Sequence, residues 1–185
     1  AYLNRGVARA AMGDPNGAIA DLDQAIAINP NSAEVFKRRG DIRQQLEDVE
    51  GAIADYTTAL RLQPSYAEIY TARANAYLSL GNAGAASQDY SEALLYNPDD
   101  TEALLNRAQI YANQGDSGNA IEDYTQVIRL DPSNARAFHN RGMMLSNRGD
   151  REGARQDFLA ARDLYLQQSN AAGYRQILVE LRQLE

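Results

Sequence analysis

The sequence predicts an all-α fold, a solenoid of five helical hairpins closed by one further helix. Three observations point to it. The stretch 107–132 recurs at a fixed shift of 34 residues. Arg107, Ala120, Asp123 and Tyr124 have counterparts at Arg73, Ala86, Asp89 and Tyr90, at Arg39, Ala52, Asp55 and Tyr56, at Arg5, Ala18, Asp21 and Leu22, and at Arg141, Ala154, Asp157 and Phe158. Self-similarity at this period marks a stacked-repeat architecture. Apolar residues within each unit also fall at helical spacing, and glycine, proline and short polar residues punctuate the units in phase.

The unit 33–66 sets the pattern. Its first half has apolar residues at 33, 35, 36, 42 and 46, a broken but helical spacing. Its second half carries Ala52, Ile53, Tyr56, Ala59, Leu60 and Leu62, the stripe of an amphipathic helix. Pro64 then ends the helix, because proline lacks an N–H and restricts the residue before it. Between the halves, Gly13, Gly81, Gly115 and Gly149 suit a left-handed C′ residue. Asp14, Asp48, Asn82, Asp116 and Asp150 suit the N-caps of the second helices. Pro15 fits the first helical position. The spacing therefore predicts first helices near 1–12, 33–46, 67–80, 101–114 and 135–148. Second helices are predicted near 16–28, 50–62, 84–96, 118–130 and 152–168. In the fifth unit Leu166 stands where proline is expected, so that helix runs on. Ser169 and Asn170 then open a final helix over about 171–183, with Tyr174, Ile177, Leu178 and Leu181 on one face. The organisation expected is five repeats, 1–32, 33–66, 67–100, 101–134 and 135–168, then a capping segment, 169–185. Together they form one elongated core without a domain boundary.

Composition narrows the function. The net charge is −7, which argues against general nucleic-acid binding. Of the basic side chains only Lys37 is lysine, and arginine favours planar, partly buried pairing. The chain has no cysteine, which excludes thiol chemistry and disulfides. No apolar run approaches a membrane span. The chain opens on Ala1, and its first repeat lacks two positions, so it reads as part of a longer protein, with Leu184-Glu185 as a cloning remnant. The compartment stays open, leaning to the cytoplasm. His139 is the lone histidine, expected on the surface or in a groove, and no glycine-rich phosphate loop follows a strand. No enzyme activity, cofactor or metal is expected. The recurring Arg39/Asp55, Arg73/Asp89, Arg107/Asp123 and Arg141/Asp157 are either an anion-binding arginine row or a structural ladder. One Asp per Arg favours the ladder, joining the two helices of a hairpin or adjacent hairpins.

Residues 1–168 resemble the tetratricopeptide repeat family. The resemblance rests on the period and on small residues early in the first helix (Gly6, Gly40, Ala74, Ala108, Gly142). In the second helix it rests on Ala with a large residue, on a second small residue (Ala25, Ala59, Ala93, Ala161), and on the closing proline. The sequence departs at Val127, at Arg9 and Arg43 where an aromatic is usual, at Glu47 in place of glycine, and at the recurring Arg where leucine is common. The resemblance implies a right-handed solenoid that binds a protein or peptide along a concave groove lined by the first helices. It places Lys37, Asp41, Thr71, Asn75, Leu105, Asn106, Gln109, Arg136, His139 and Asn140 in that groove, with Leu3, Val7, Gln44 and Met143 at matching positions. One subset of the family captures C-terminal carboxylates through Lys, Asn, Asn, Lys and Arg. The best register here, Thr71, Asn75, Asn106, Arg136 and Asn140, is a degraded version. Self-association through an N-terminal face of Ala1, Leu3, Val7, Ile19 and Ile26 is the alternative.

Overall fold

The computed structural model describes residues 1–184, and among them eleven α-helices and no strand. Glu185, the end of the expected cap and cloning remnant, lies outside the described residues. The chain divides into two compact bodies. The first, Ala1–Pro98, holds α1 (Tyr2–Ala11), α2 (Pro15–Ile28), α3 (Ala33–Gln45), α4 (Val49–Leu62), α5 (Ala67–Ser79) and α6 (Ala83–Tyr96). The second, Asp99–Glu185, holds α7 (Thr101–Asn113), α8 (Ser117–Leu130), α9 (Ala135–Asn147), α10 (Arg151–Gln167) and α11 (Ala171–Gln183). No helix is long and apolar enough to cross a membrane.

The turns explain where the helices begin. Asp14, Asp48, Asn82, Asp116 and Asp150 each accept a hydrogen bond from the backbone N–H three residues on, capping α2, α4, α6, α8 and α10. Each capped helix accordingly starts one residue earlier than its apolar stripe suggests. Among first helices, Asp100 and Asn134 cap α7 and α9, whereas Ser32 and Tyr66 make no side-chain cap to α3 and α5. Asn170 caps α11.

The turn inside each hairpin needs one left-handed residue. The N–H of Asp14 reaches back to the Arg9 carbonyl at 2.9 Å, and Asp48 does the same to Arg43. This is the six-to-one bond of a Schellman motif. Gly13 supplies φ +82°. In the second hairpin Glu47 must adopt φ +63°, where a Cβ is strained. Glu47→Gly is therefore expected to stabilise the chain by about 0.5–1 kcal/mol, the relief of strain less the entropy that glycine loses on folding. A denaturation midpoint that stays put or falls would mean that the Glu47 side chain compensates for its backbone.

Packing within a hairpin sets a large side chain against a small one. Leu22, Tyr56, Tyr90, Tyr124 and Phe158 are fully buried. Opposite Tyr56, a Cβ on Gly40 would come within 2.7 Å of the ring, and Gly142 stands in the same relation to Phe158. Burying one such ring stabilises by roughly 1.5–3 kcal/mol. The same clusters extend to the next hairpin of the body. Ile69 of α5 packs with Tyr56, Ala59 and Leu60 of α4, and Ile177 of α11 packs with Phe158 and Tyr165 of α10. Within each body a hairpin is thus completed by the helix that follows it, as in a solenoid.

Candidate functional site

The most regular polar feature lies between the two helices of each hairpin. Arg5, Arg39, Arg73, Arg107 and Arg141 each grip the Asp sixteen residues on with two parallel hydrogen bonds, Nε to Oδ2 and Nη2 to Oδ1, at 2.5–2.9 Å. All five carboxylates are buried. Parallel pairing of this kind fixes orientation as well as charge. A further nitrogen reaches the hairpin before. Arg39 Nη1 donates to Asp23 at 2.5 Å, and Arg73 and Arg141 donate to the Thr57 and Thr125 hydroxyls at 3.0 Å. The hydrogen bonds to Asp, opposed by burial, hold the guanidinium groups of Arg39, Arg73, Arg107 and Arg141 above the ordinary arginine range. The hydrogen bond from Arg5 likewise holds Asp21 below the usual carboxylate range.

Two departures from the family pattern find their reason here. Arg9 and Arg43 replace an aromatic residue, and each brings a second guanidinium to the same Asp. Arg9 Nη1 lies 3.1 Å from Asp21, and Arg43 Nη1 lies 2.9 Å from Asp55. Where the aromatic is kept, at Tyr77 and Tyr111, its ring lies beneath the ladder guanidinium of Arg73 or Arg107. The position serves the ladder either way, by charge or by a cation–π contact. With both carboxylate oxygens bonded, this row acts as a tie between helices.

The faces of the first helices carry a second network. In the N-terminal body the Tyr56 hydroxyl donates toward Asp41 at 3.0 Å and lies 3.1 Å from Gln44 Oε1. Lys37 Nζ donates to the other Asp41 oxygen at 2.9 Å. The Tyr90 hydroxyl donates to Asn75 Oδ1 at 2.5 Å. Glu34 accepts from the Tyr66 hydroxyl at 2.9 Å and from Arg38 at 2.6 Å. In the C-terminal body Asn140 Nδ2 donates to Gln109 Oε1 and to the Tyr124 hydroxyl, each at 3.3 Å. Burial, reinforced by Asp41, pushes the Tyr56 hydroxyl far above its ordinary range, and burial also raises Tyr124. These hydroxyls stay protonated, Tyr56 as a donor and Tyr124 as the acceptor from Asn140.

A rule links the two helices. The residue fifteen before the large core side chain is Val7, Asp41, Asn75, Gln109 or Met143, against Leu22, Tyr56, Tyr90, Tyr124 or Phe158. Where the first is polar the second carries a hydroxyl. Where the first is apolar the second is pure hydrocarbon. A phenol extends through the hairpin and leaves its oxygen at the outer face of the first helix, where a buried hydroxyl needs a partner.

Tetratricopeptide repeat models match residues 1–32, 71–135 and 123–156, and a TPR repeat model matches 40–81. The chain belongs to the tetratricopeptide repeat family. Among solved structures it is similar to MamA, at 23% identity over 89% of this chain and 96% of that one, with a TM-score of 0.82. It is similar to YrrB, described as a TPR protein with an unusual peptide-binding site, at 22% identity over 95% and 89%, with a TM-score of 0.81. It is also similar to a tetratricopeptide repeat protein from Parabacteroides merdae, at 20% over 100% and 78%, with a TM-score of 0.76. At such identities the likeness establishes the all-α solenoid fold. No curated protein matches the chain.

Within this tetratricopeptide repeat protein, the residues read from sequence as groove-lining divide. Lys37, Asp41 and Asn75 lie half-buried on the N-terminal body, and Leu105, Asn106, Gln109 and Asn140 do so on the C-terminal body. Arg136 is exposed on α9. Two placements need correction. Thr71 is only 7% exposed on α5. His139 is only 6% exposed, because it turns inward against Phe158 and Tyr165. The Asn140 amide is engaged by Tyr124 and Gln109, which weighs against a role in a carboxylate clamp. The core tyrosines themselves went unrecognised as site residues. Their signal was available as the alternation of Tyr with Leu or Phe in step with the residue fifteen before. Among the described residues no group of three or more His, Asp or Glu side chains is placed to hold a metal.

Proposed function

We propose that this chain is a protein-interaction module that holds an extended segment of a partner along the faces of its first helices. The observation carrying this reading is the coupling of core tyrosines to polar face residues. The scaffold does not require these polar groups, since Val7 with Leu22 and Met143 with Phe158 occupy the same register with hydrocarbon. Carboxylate, amide and ammonium groups held on the helices of each body suit recognition of a peptide backbone, whose donors and acceptors amides match. YrrB, similar in fold, is itself described as having a peptide-binding site.

The test replaces polar pairs by the apolar pairs found at the chain's ends. Asn75→Val with Tyr90→Phe, or Gln109→Met with Tyr124→Phe, should leave the helical circular dichroism unchanged. Peptides selected on the parent chain from a displayed library should bind such variants at least ~10-fold more weakly, the loss of about 1.4 kcal/mol. Undiminished binding would place recognition elsewhere. The alternative is self-association through the N-terminal face, where Val7 is exposed and a cleft of about 220 Å³ opens among Tyr2, Leu3, Ala25, Ile28 and Val35. Light scattering over a range of concentrations separates the two readings.

A further inference from the structure

His139 takes no part in the polar face, and its surroundings suit a different role. It is the chain's one histidine, on α9. Its ring stands edge-on to Phe158 and to Tyr165 of α10, with centroids 6.1 and 6.2 Å away. Nδ1 lies 3.5 Å from the Tyr165 hydroxyl, the outer limit of a hydrogen bond. Nε2 is buried without a hydrogen-bond partner among the described residues. The first and fourth repeats carry Leu3 and Leu105 at this register, so packing alone does not call for an imidazole.

The groups facing the ring are few. Tyr165 approaches from α10 and Glu180 acts from α11, while Arg136, one turn earlier on α9, acts on the Tyr165 and Tyr124 hydroxyls. Burial lowers the His139 pKa, and the attraction of Glu180 only partly opposes this. A neutral ring is tolerated there. A proton on Nε2 would place a charge in an apolar site with no acceptor bonded to it, which is strongly unfavourable. The relief nearest to hand is movement of α11, a single helix of 13 residues docked on α10 through Ile177 and Tyr174. An isolated helix of that length is marginal in water, so once undocked it frays.

We propose that α11 is an acid-releasable cap, docked while the His139 ring is neutral and set free when Nε2 takes up a proton. Release uncovers an apolar surface that includes Phe158, Ala161 and Tyr165. The sign follows from linkage. Docking is strongest above the ordinary histidine value of 6.5 and weakens as pH falls below it toward the lowered value of the docked state.

Amide hydrogen exchange at pH 7.5 and 5.5, corrected for intrinsic rates, tests this on the whole chain. Protection of the α11 amides should fall several-fold at the lower pH, up to the ~10-fold ceiling for one proton, while that of α7 and α8 holds. His139→Leu should abolish the difference. Glu180→Gln, which removes the carboxylate that favours the protonated ring in the docked state, should deepen the loss of α11 protection at pH 5.5. In the parent chain, NMR titration of the His139 ring should share its midpoint with the loss of α11 protection. The proposal is overturned if α11 protection is independent of pH, if α7 and α8 lose protection in step with it, or if the loss persists in His139→Leu.

Discussion

Asp55→Ala is expected to be among the most damaging single substitutions in the chain, costing roughly 3–5 kcal/mol. The Asp55 carboxylate is buried and accepts from two arginines, Arg39 and Arg43. Their side chains are only 16% and 25% exposed, so its removal leaves two cations with little access to water and only the outer carboxylates of Asp23, at 2.5 Å, and Asp48, at 3.5 Å, beside them. Most of the loss is the desolvation of those cations and not the worth of the pair. The double variant Arg39→Ala with Asp55→Ala should therefore lose less than the two single losses added together. Asp99 provides the control. It faces Arg129 at 3.7 Å with both side chains 67% exposed, and Asp99→Ala should change stability by no more than about 0.5 kcal/mol. The check is a set of denaturant titrations followed by circular dichroism. Additive losses at Arg39 and Asp55 would refute the ladder as a coupled tie.

Most of the fold was open to reading in one sequence because each hairpin poses the same packing problem and solves it with the same residues. Five copies of Arg, Ala and Asp separate the pattern from noise, and the caps and turn glycines mark the boundaries to within about a residue. Glu47 shows the limit of that reading. It breaks the glycine rule yet adopts the glycine conformation, because the Schellman bond of Asp48 to Arg43 demands it. The polar faces were harder to read. Lys37, Asp41 and Gln109 are placed by which side of the helix they occupy, which periodicity gives. Burial depends on what packs alongside. His139 has the register of a face residue and turns inward all the same, because Phe158 and Tyr165 of α10 close over it in the last repeat.

The tyrosine rule explains how one scaffold carries different surfaces. A core position that must be filled by a large side chain can be filled by Leu, Phe or Tyr at similar volume. Choosing Tyr delivers a hydroxyl to the outer face without disturbing the interior. Polarity of the face is thus set from behind, by a residue whose ring is buried. The ladder holds the backbone in register meanwhile, so the hydroxyl arrives at a fixed place. Face residues held in this way lose little freedom on meeting a ligand, which favours binding.

The second large effect is expected at Phe158, where truncation to Ala should cost about 3–5 kcal/mol. The ring is 1% exposed, packs with Ala154, Ala161, Tyr165 and Ile177, and presses on Gly142, where even a Cβ would collide with it. Glycine across from it offers no side chain to move into the space, so the cavity stays open. Phe158→Leu, which copies Leu22 of the first hairpin, keeps more of the volume and should cost about 1–1.5 kcal/mol. Tyr124→Phe removes only a hydroxyl whose bond to Asn140 is 3.3 Å long, for about 0.5–1.5 kcal/mol. The order should appear in denaturation midpoints, with Phe158→Ala far below the other two. Hydrogen exchange adds a second reading. Because Phe158 lies beneath both His139 and the docked α11, its truncation should loosen α11 at pH 7.5 as well as at 5.5, unlike protonation of His139. If Phe158→Ala lost no more than Tyr124→Phe, the ring would not be the keystone of this hairpin, and the docking of α11 would have to rest on Tyr165 and Ile177 alone.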